Sequence, residues 1–442
     1  MAKDDLLTLA RGAVALARGR GAQEAAVRAA RTRETETEWR DGKLEKIHEA
    51  TSRSLEFQLY VDGRFAEMST SDLRPEALAT FVAESVALTR SLEKDPFRSL
   101  PDPKLYADRP TGDLKIEDAA YDGVTPDARR RFVRELEEGA RTVKESGAIL
   151  SVTTSFTDSL VESARVASNG FEGTHRETSY WVGASVSVKD ADGRRPSDGT
   201  WAGARFIADL PAAPPLGKAS AERALGRLGA KKGDSAVMPM VLENRAGGRL
   251  LWTLLSPLLG WSLQQKRSFL EGKLGKPIAG PLLTLTDEPL LPKGFGSRHF
   301  DAEGVSAKPR PVFSEGVLST FFLDTYYAKK LGLAPTTGRP SNLVFPAGAK
   351  GRDALIEDAK EGIYVTGFLG GNSNGTTGDF SLGIQGFRIR GGKPAEPVSE
   401  MNIAGNHLEF WKRLAAVGND PYPFSTSRTP TLVFDAVQFA GV

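Results

Sequence analysis

GIYVTGFLGGNSNGTTGDFSLGIQGFRIR, residues 362–390, holds two apolar runs, Gly362–Phe368 and Gly383–Arg390, on either side of a glycine-rich centre. Both runs have the length and residue types of strands. Glycines at 370, 371, 375, 378, 383 and 386 allow tight turns and close backbone approach. Comparable short runs occur at Leu282–Thr286, Val317–Thr325 and Thr431–Phe439. From about residue 280 the chain therefore reads as a largely antiparallel, barrel-like β domain. Ahead of it the spacing predicts a helix over Ala219–Leu228, a strand over Val237–Glu243 and a second helix from about Arg245.

The N-terminal half alternates helix and hairpin. Residues 5–18 carry the apolar spacing of an amphipathic helix, with Asp4 and Asp5 suited to its start. Glu34–Arg40 meets Lys43–Ala50 across Asp41-Gly42, a favoured two-residue turn, and Asp62-Gly63 closes the next hairpin. Residues 75–92 return to helical spacing, and residues 96–124 read as an extended connector rich in Pro, Asp and Gly. Thr125-Pro126 places a cap and an N1 proline in the preferred order for a helix with Phe132, Leu136, Ala140 and Val143 on its apolar face. Strands follow at Ile149–Phe156, Val161–Ala167 and Tyr180–Lys189. The class is α+β. The proline-rich segment Pro211–Pro215 suggests a division into an N-terminal α+β domain, residues 1–210 with two lobes conceivable, and a C-terminal β-rich domain, residues 216–442.

Composition narrows the chemistry. The 442 residues are 40% hydrophobic and 26% charged, ordinary for a globular protein, and the net charge of +2 gives no bulk reason to bind nucleic acid or an anionic membrane. The absence of cysteine excludes disulfides, thiol catalysis and thiolate metal ligands, and fits a reducing compartment. The acidic N-terminus lacks the pattern of a secretory signal. The most apolar window, Leu250 to Leu263, is interrupted by Thr253, Ser256 and Pro257 and is shorter than the roughly 20 residues of a spanning helix. A cytoplasmic protein is expected.

Local motifs for catalysis fail on context. His48-Glu49 lacks the second histidine a helical zinc motif requires and lies in an expected strand. His175, His299 and His407 show no ligand spacing. Gly371-Asn372-Ser373-Asn374-Gly375 matches G-x-S-x-G, but a nucleophile elbow needs a strand, a sharp turn and a helix, whereas a turn and a strand follow here. The Arg129–Arg131 run and Lys231-Lys232 read as solvated helix faces. Trp252 and Trp261, with the leucines at 250, 251, 254 and 255, read as packed core or a subunit contact.

Ordered phrases of the second half resemble the TldE/PmbA side of the TldD/TldE peptidase family. They include Ser268-Phe269-Leu270, Lys273-Leu274-Gly275, Phe300-Asp301-Ala302-Glu303-Gly304, Asp324-Thr325-Tyr326-Tyr327-Ala328, Thr336-Thr337-Gly338-Arg339, Thr377-Gly378-Asp379-Phe380-Ser381 and Val417-Gly418-Asn419-Asp420. The resemblance implies a heterodimer that degrades or trims unfolded peptides, microcin precursors and an antitoxin among them. In it the TldD partner carries zinc on a His-Glu-x-x-x-His helix with a later cysteine. By that resemblance Trp252 stands at the first histidine, Thr253 at the glutamate and Pro257 at the second histidine. Trp and Pro offer no lone pair to zinc, and threonine is no general base at neutral pH. The resemblance thus implies a chain without metal or peptidase activity of its own, its cofactor being zinc in the partner. A stand-alone, homodimeric peptide-binding or scaffold protein is the alternative. It also implies that extended peptides are held by backbone pairing, for which Gly370, Gly371, Asn372, Thr377, Gly378, Asp379, Phe380 and Ser381 are the candidate lining. The same glycines would serve equally for tight turns alone.

Overall fold

The computed structural model describes residues 3–442. Its N-terminal part is one six-stranded antiparallel sheet built from two meanders. Helix α1 (Lys3–Gly19) leads into β1 (Glu24–Arg40), β2 (Lys43–Val61) and β3 (Arg64–Thr70), and helix α2 (Pro75–Thr89) follows. After the connector, α3 (Pro126–Ala140) leads into β4 (Ile149–Ala167), β5 (Glu172–Val188) and β6 (Ser197–Ala204), and α4 (Ala213–Leu225) follows. The strand order is β3-β2-β1-β4-β5-β6, so β1 and β4 join two units of the same helix-meander-helix pattern. The hairpin turns at Asp41-Gly42 and Asp62-Gly63 have φ of 46° and 80°, and 52° and 75°. Those paired left-handed conformations match the twist of the flanking strands, as Asp-Gly implies.

Helices cover the sheet where its alternation turns apolar. Leu6, Ala10, Ala13 and Val14 of α1 and Val82 and Val86 of α2 pack on Val27, Leu55, Phe57 and Leu59. Thr125 caps α3 by accepting from the Ala128 N–H at 3.2 Å, and Val133 and Leu136 bury against Phe156, Tyr180 and Val182. One expectation is corrected here. Arg130 and Arg131 are exposed, but Arg129 is buried and donates two hydrogen bonds to the fully buried Asp158, Nε–Oδ2 2.5 Å and Nη2–Oδ1 3.0 Å. Pro214 and Pro215 stand in the first turn of α4, where a missing N–H costs nothing.

The C-terminal part is organised by a closed barrel. The chain runs through β7 (Ala236–Leu242), α5 (Asn244–Leu255) and the short α6 (Gly260–Gln264). A small sheet follows, made of β8 (Leu285–Asp287), β9 (Arg310–Ser314), β10 (Val317–Leu318) and, after α7 (Thr325–Leu331), β11 (Leu343–Val344). Then come α8 (Arg352–Ala359), β12 (Gly362–Ser373), β13 (Asp379–Arg390), β14 (Lys393–Asn406), α9 (His407–Phe410), β15 (Leu414–Val417), β16 (Ser427–Arg428) and β17 (Leu432–Ala440). Strands β14, β13, β12, β7 and β17 pair in that order, and β17 pairs back onto β14 through Asn402–Ala440 and Ile403–Phe439, which closes the ring. Within this ring only the β7–β12 pair is parallel, and in the small sheet β11 pairs with β16 in parallel. Met240, Leu242, Ile363, Val365, Ile384 and Phe434 fill the interior. The expected strands at 282–286 and 317–325 shrink to β8 and β10, and β14 was not anticipated. No helix among the described residues is long and apolar enough to cross a membrane.

Candidate functional site

Helix α5 leaves β7 at the rim of the barrel. The buried Glu243 precedes it, its N–H donating to the Val365 carbonyl at 2.9 Å and its carboxylate accepting from Arg223 at 2.7 and 3.0 Å. Leu250, Leu251, Leu254 and Leu255 are buried in the barrel core, and each contributes about 2 kcal/mol of transfer free energy. The opposite face carries Arg249 and Trp252, the latter 46% exposed. Trp252 and Trp261 are therefore surface residues rather than core, while the leucines pack as expected. The α-helix ends at Leu255, and Ser256–Leu258 continue as a single 3₁₀ turn around Pro257.

At the three positions of the resemblance stand an exposed indole, a hydroxyl and a buried pyrrolidine ring. The Thr253 hydroxyl is spent on the Leu250 carbonyl at 2.6 Å, and the Pro257 carbonyl accepts from Ser268 Oγ at 2.7 Å. These residues do not fit a zinc ion, because none of them offers an imidazole, carboxylate or thiolate. The histidines do not converge either: His48 is exposed on β2, His175 lies 3.2 Å from Glu177 on β5, and His299 meets the Gly112 carbonyl at 2.8 Å.

The second candidate segment lies directly beside α5. Arg249 Nη1 donates to the Phe368 carbonyl at 3.3 Å, and the Phe269 N–H donates to the Gly375 carbonyl at 2.8 Å. Strand β12 is paired on both sides only through residues 363–365, by β7 on one edge and β13 on the other. From Thr366 to Ser373 it keeps β13, and no strand among the described residues pairs with its other edge. Such an edge presents free N–H and C=O groups to an incoming extended chain.

The glycines of this edge divide by what surrounds them. At Gly371, φ is +99° and a Cβ would stand 2.1 Å from the Ser381 carbonyl oxygen, so the hairpin's own partner strand demands glycine. At Gly370, φ is +141° and a Cβ would meet nothing within 4 Å. Beyond the strand, Gly378 is buried against the Phe269 ring. Asp379 accepts from Thr377 Oγ1 at 2.7 Å and Asn406 Nδ2 at 2.9 Å, and these hydrogen bonds, Asn406 first, hold its carboxyl below the usual range. Asn372 and Ser381 are exposed, and Phe380 is buried against His407 and Phe410.

Sequence reasoning missed one contact. Ser373 Oγ lies 3.1 Å from His407 Nε2. His407 is fully buried between Phe269 and Phe380, with ring centroids 5.7 and 4.8 Å away, and burial pushes its pKa down to about 4. Its Nδ1 has no hydrogen-bond partner. A catalytic pair needs a base poised near neutral pH and oriented by a third group, with the nucleophile on a strand-to-helix elbow. No third group orients His407, and a turn and β13 rather than a helix follow Ser373, so the pair is a part-buried hydrogen bond at the end of β12. A lone histidine after Asn406 gives no local sequence signal for that role.

Comparison with known proteins gives the family. Profiles of PmbA/TldA metallopeptidase domain 1, central domain and C-terminal domain match residues 25–89, 120–228 and 235–441 in order. The Escherichia coli O157:H7 metalloprotease PmbA is 28% identical over 410 residues, covering 91% of this chain and 89% of that protein. A Bacteroides thetaiotaomicron protein described as a candidate modulator of DNA gyrase superposes with a TM-score of 0.95 at 41% identity, over 98% of each chain. TldE from Thermococcus kodakarensis shares the fold, with a TM-score of 0.87 at 19% identity over 98% of this chain and 100% of that one. With three consecutive domain matches and a 41%-identical structural relative along nearly its whole length, this chain belongs to the PmbA/TldD metallopeptidase family.

Proposed function

We propose that this chain is the non-catalytic member of a two-chain, cytoplasmic zinc metallopeptidase that degrades or processes unfolded peptides, the zinc being carried by a TldD-type partner. The observation that supports this reading is the juxtaposition of two features at one barrel rim. An unpaired edge of β12 from Thr366 to Ser373 runs beside α5, whose Trp252, Thr253 and Pro257 cannot ligate a metal. Strand addition binds peptides through main-chain hydrogen bonds and tolerates many sequences, so a chain can hold substrate without cutting it. Of the candidate lining, Gly370, Gly371 and Asn372 lie on that edge, Thr377 and Gly378 belong to the turn that follows, and Asp379, Phe380 and Ser381 begin β13 on the other side of β12.

Mixing the chain with its cognate TldD-type subunit and following cleavage of an unfolded peptide tests the proposal. Turnover should rise above that of the partner alone, and no gain in turnover or in peptide binding would sink it. A second reading is a homodimeric binder of extended peptides. It is favoured by the exposed Trp252, Trp261 and Leu369, 46%, 42% and 46% accessible on the elements of this site, which a second copy could cover. Native mass spectrometry separates the two: a stable homodimer indifferent to the TldD-type chain supports the second.

A further inference from the structure

A cavity of about 500 Å³ lies where α4 and β6 of the N-terminal part meet α5, α8 and strands β12–β14, and it reaches the β12 edge only at Thr366. That volume falls within the range of small-molecule sites, which also favour such junctions. One wall is apolar, formed by Ile356, Phe387, Pro394, Pro397 and Val398. The lining also carries four arginines, Arg223, Arg227, Arg245 and Arg352.

Their pairing is unequal. Arg223 is committed to Glu243 at 2.7 and 3.0 Å and stands 3.5 Å from Asp198. Arg352 is paired with Asp353 at 2.7 Å, and Glu222 faces Lys218 at 3.7 Å. Arg227 and Arg245 have no carboxylate within ion-pair distance among the described residues. Each donates to one backbone carbonyl of β6, Arg227 to Ser197 and Arg245 to Gly199 at 2.9 Å. Those carbonyls are two residues apart, about 7 Å along the strand, so both guanidiniums are anchored over one short stretch. The lining holds four arginines and four carboxylates, Asp198, Glu222, Glu243 and Asp353, none of which pairs with Arg227 or Arg245. In addition, Thr200 Oγ1 and Gln385 Oε1, both of lining residues, are buried without a hydrogen-bond partner. Unpaired polar atoms of this kind are rare in folded proteins and mark places where a bound polar group or ordered water belongs.

We propose that this cavity binds a small organic anion, an apolar body ending in one carboxylate, with the carboxylate between Arg227 and Arg245 and the body against Phe387. Arginine suits the task because its planar fork matches a carboxylate and stays charged at all physiological pH. A fatty acid and the free C-terminus of an apolar peptide share this chemistry. The site is separate from the peptidase reading, since of the open edge it touches only the first residue, Thr366, and it needs no partner chain.

The test is calorimetric titration of the full chain with octanoate and octanamide, and with N-acetyl-leucine and N-acetyl-leucinamide. At least one acid should bind saturably with a Kd below about 1 mM, and its amide about tenfold more weakly. Which acid binds tells the fatty-acid source from the peptide-terminus source. Arg227→Gln and Arg245→Gln should each weaken the acid by about tenfold, with Arg227→Lys and Arg245→Lys losing less. Phe387→Ala should weaken acid and amide alike. Thermal melts identify any variant that fails to fold, and the acid–amide comparison on the unaltered chain stands without the variants. Absence of saturable binding below about 1 mM for both acids, or equal binding of acid and amide, overturns the proposal.

Discussion

His407 allows a quantitative test of how the hairpin is held. Its imidazole is fully buried and its pKa falls to about 4, against 6.5 for an exposed histidine, because burial disfavours the charged ring. Below pH 6.5 the unfolded chain binds a proton that the folded chain refuses until about pH 4. Stability therefore drops as pH falls through that window, and the loss is complete below about 4. The interval corresponds to about 3 kcal/mol. Replacing His407 by Phe keeps an aromatic ring between Phe269 and Phe380 but removes the titration and the hydrogen bond to Ser373. Urea unfolding of both proteins should show the gap between them shifting by about 3 kcal/mol in favour of the variant from about pH 7 to about pH 4. Other titrating groups contribute equally to both proteins and cancel in the difference. Parallel pH curves for the two proteins would refute the buried, neutral imidazole.

Three further outcomes follow from named contacts. Glu303 is pushed up to about 7 by burial and by the neighbouring Asp301, so the folded chain holds a proton that the unfolded chain releases near 4.5. Its stabilisation is fully present below 4.5 and is lost as pH rises through about 7; Glu303→Gln should flatten that part of the urea-stability profile. Arg129→Met leaves the Asp158 carboxylate buried without its partner and should cost about 3–5 kcal/mol in equilibrium unfolding, much of it regained in the Arg129→Met, Asp158→Leu double variant. Gly370→Ala should cost about 1–3 kcal/mol from backbone strain alone, and Gly371→Ala should cost more because its Cβ collides with the Ser381 carbonyl. Hydrogen exchange of the β12–β13 amides reads both, and equal effects would contradict the distinction drawn between the two glycines.

Local features of the fold were legible where one residue pair dictates a backbone shape. Asp41-Gly42, Asp62-Gly63 and Thr125-Pro126 each specify a conformation without help from the rest of the chain, and all three occur as read. Strand β14 escaped notice because Pro394 and Pro397 break the expected pattern; they are tolerated where β14 pairs with β13 through irregular register. At residues 320–323 burial without a ladder makes an apolar run resemble a strand. Arg129 was misjudged because a charge cluster shows no sign of Asp158, 29 residues later in sequence. The exposure of Trp252 likewise depends on what packs beyond it. The positions of Trp252, Thr253 and Pro257 came from family resemblance, whereas their closeness to the β12 edge is set by tertiary contacts such as Arg249 with Phe368 and Phe269 with Gly375.

Metal content is the most direct check on the central claim. The chain should be purified alone and in complex with its TldD-type partner, and zinc measured in each, with peptide cleavage followed before and after chelation. The account predicts no stoichiometric zinc and no cleavage by the isolated chain, with metal and chelator-sensitive turnover appearing only in the complex. Stoichiometric zinc in the isolated chain, with peptide cleavage that chelation abolishes, would contradict it.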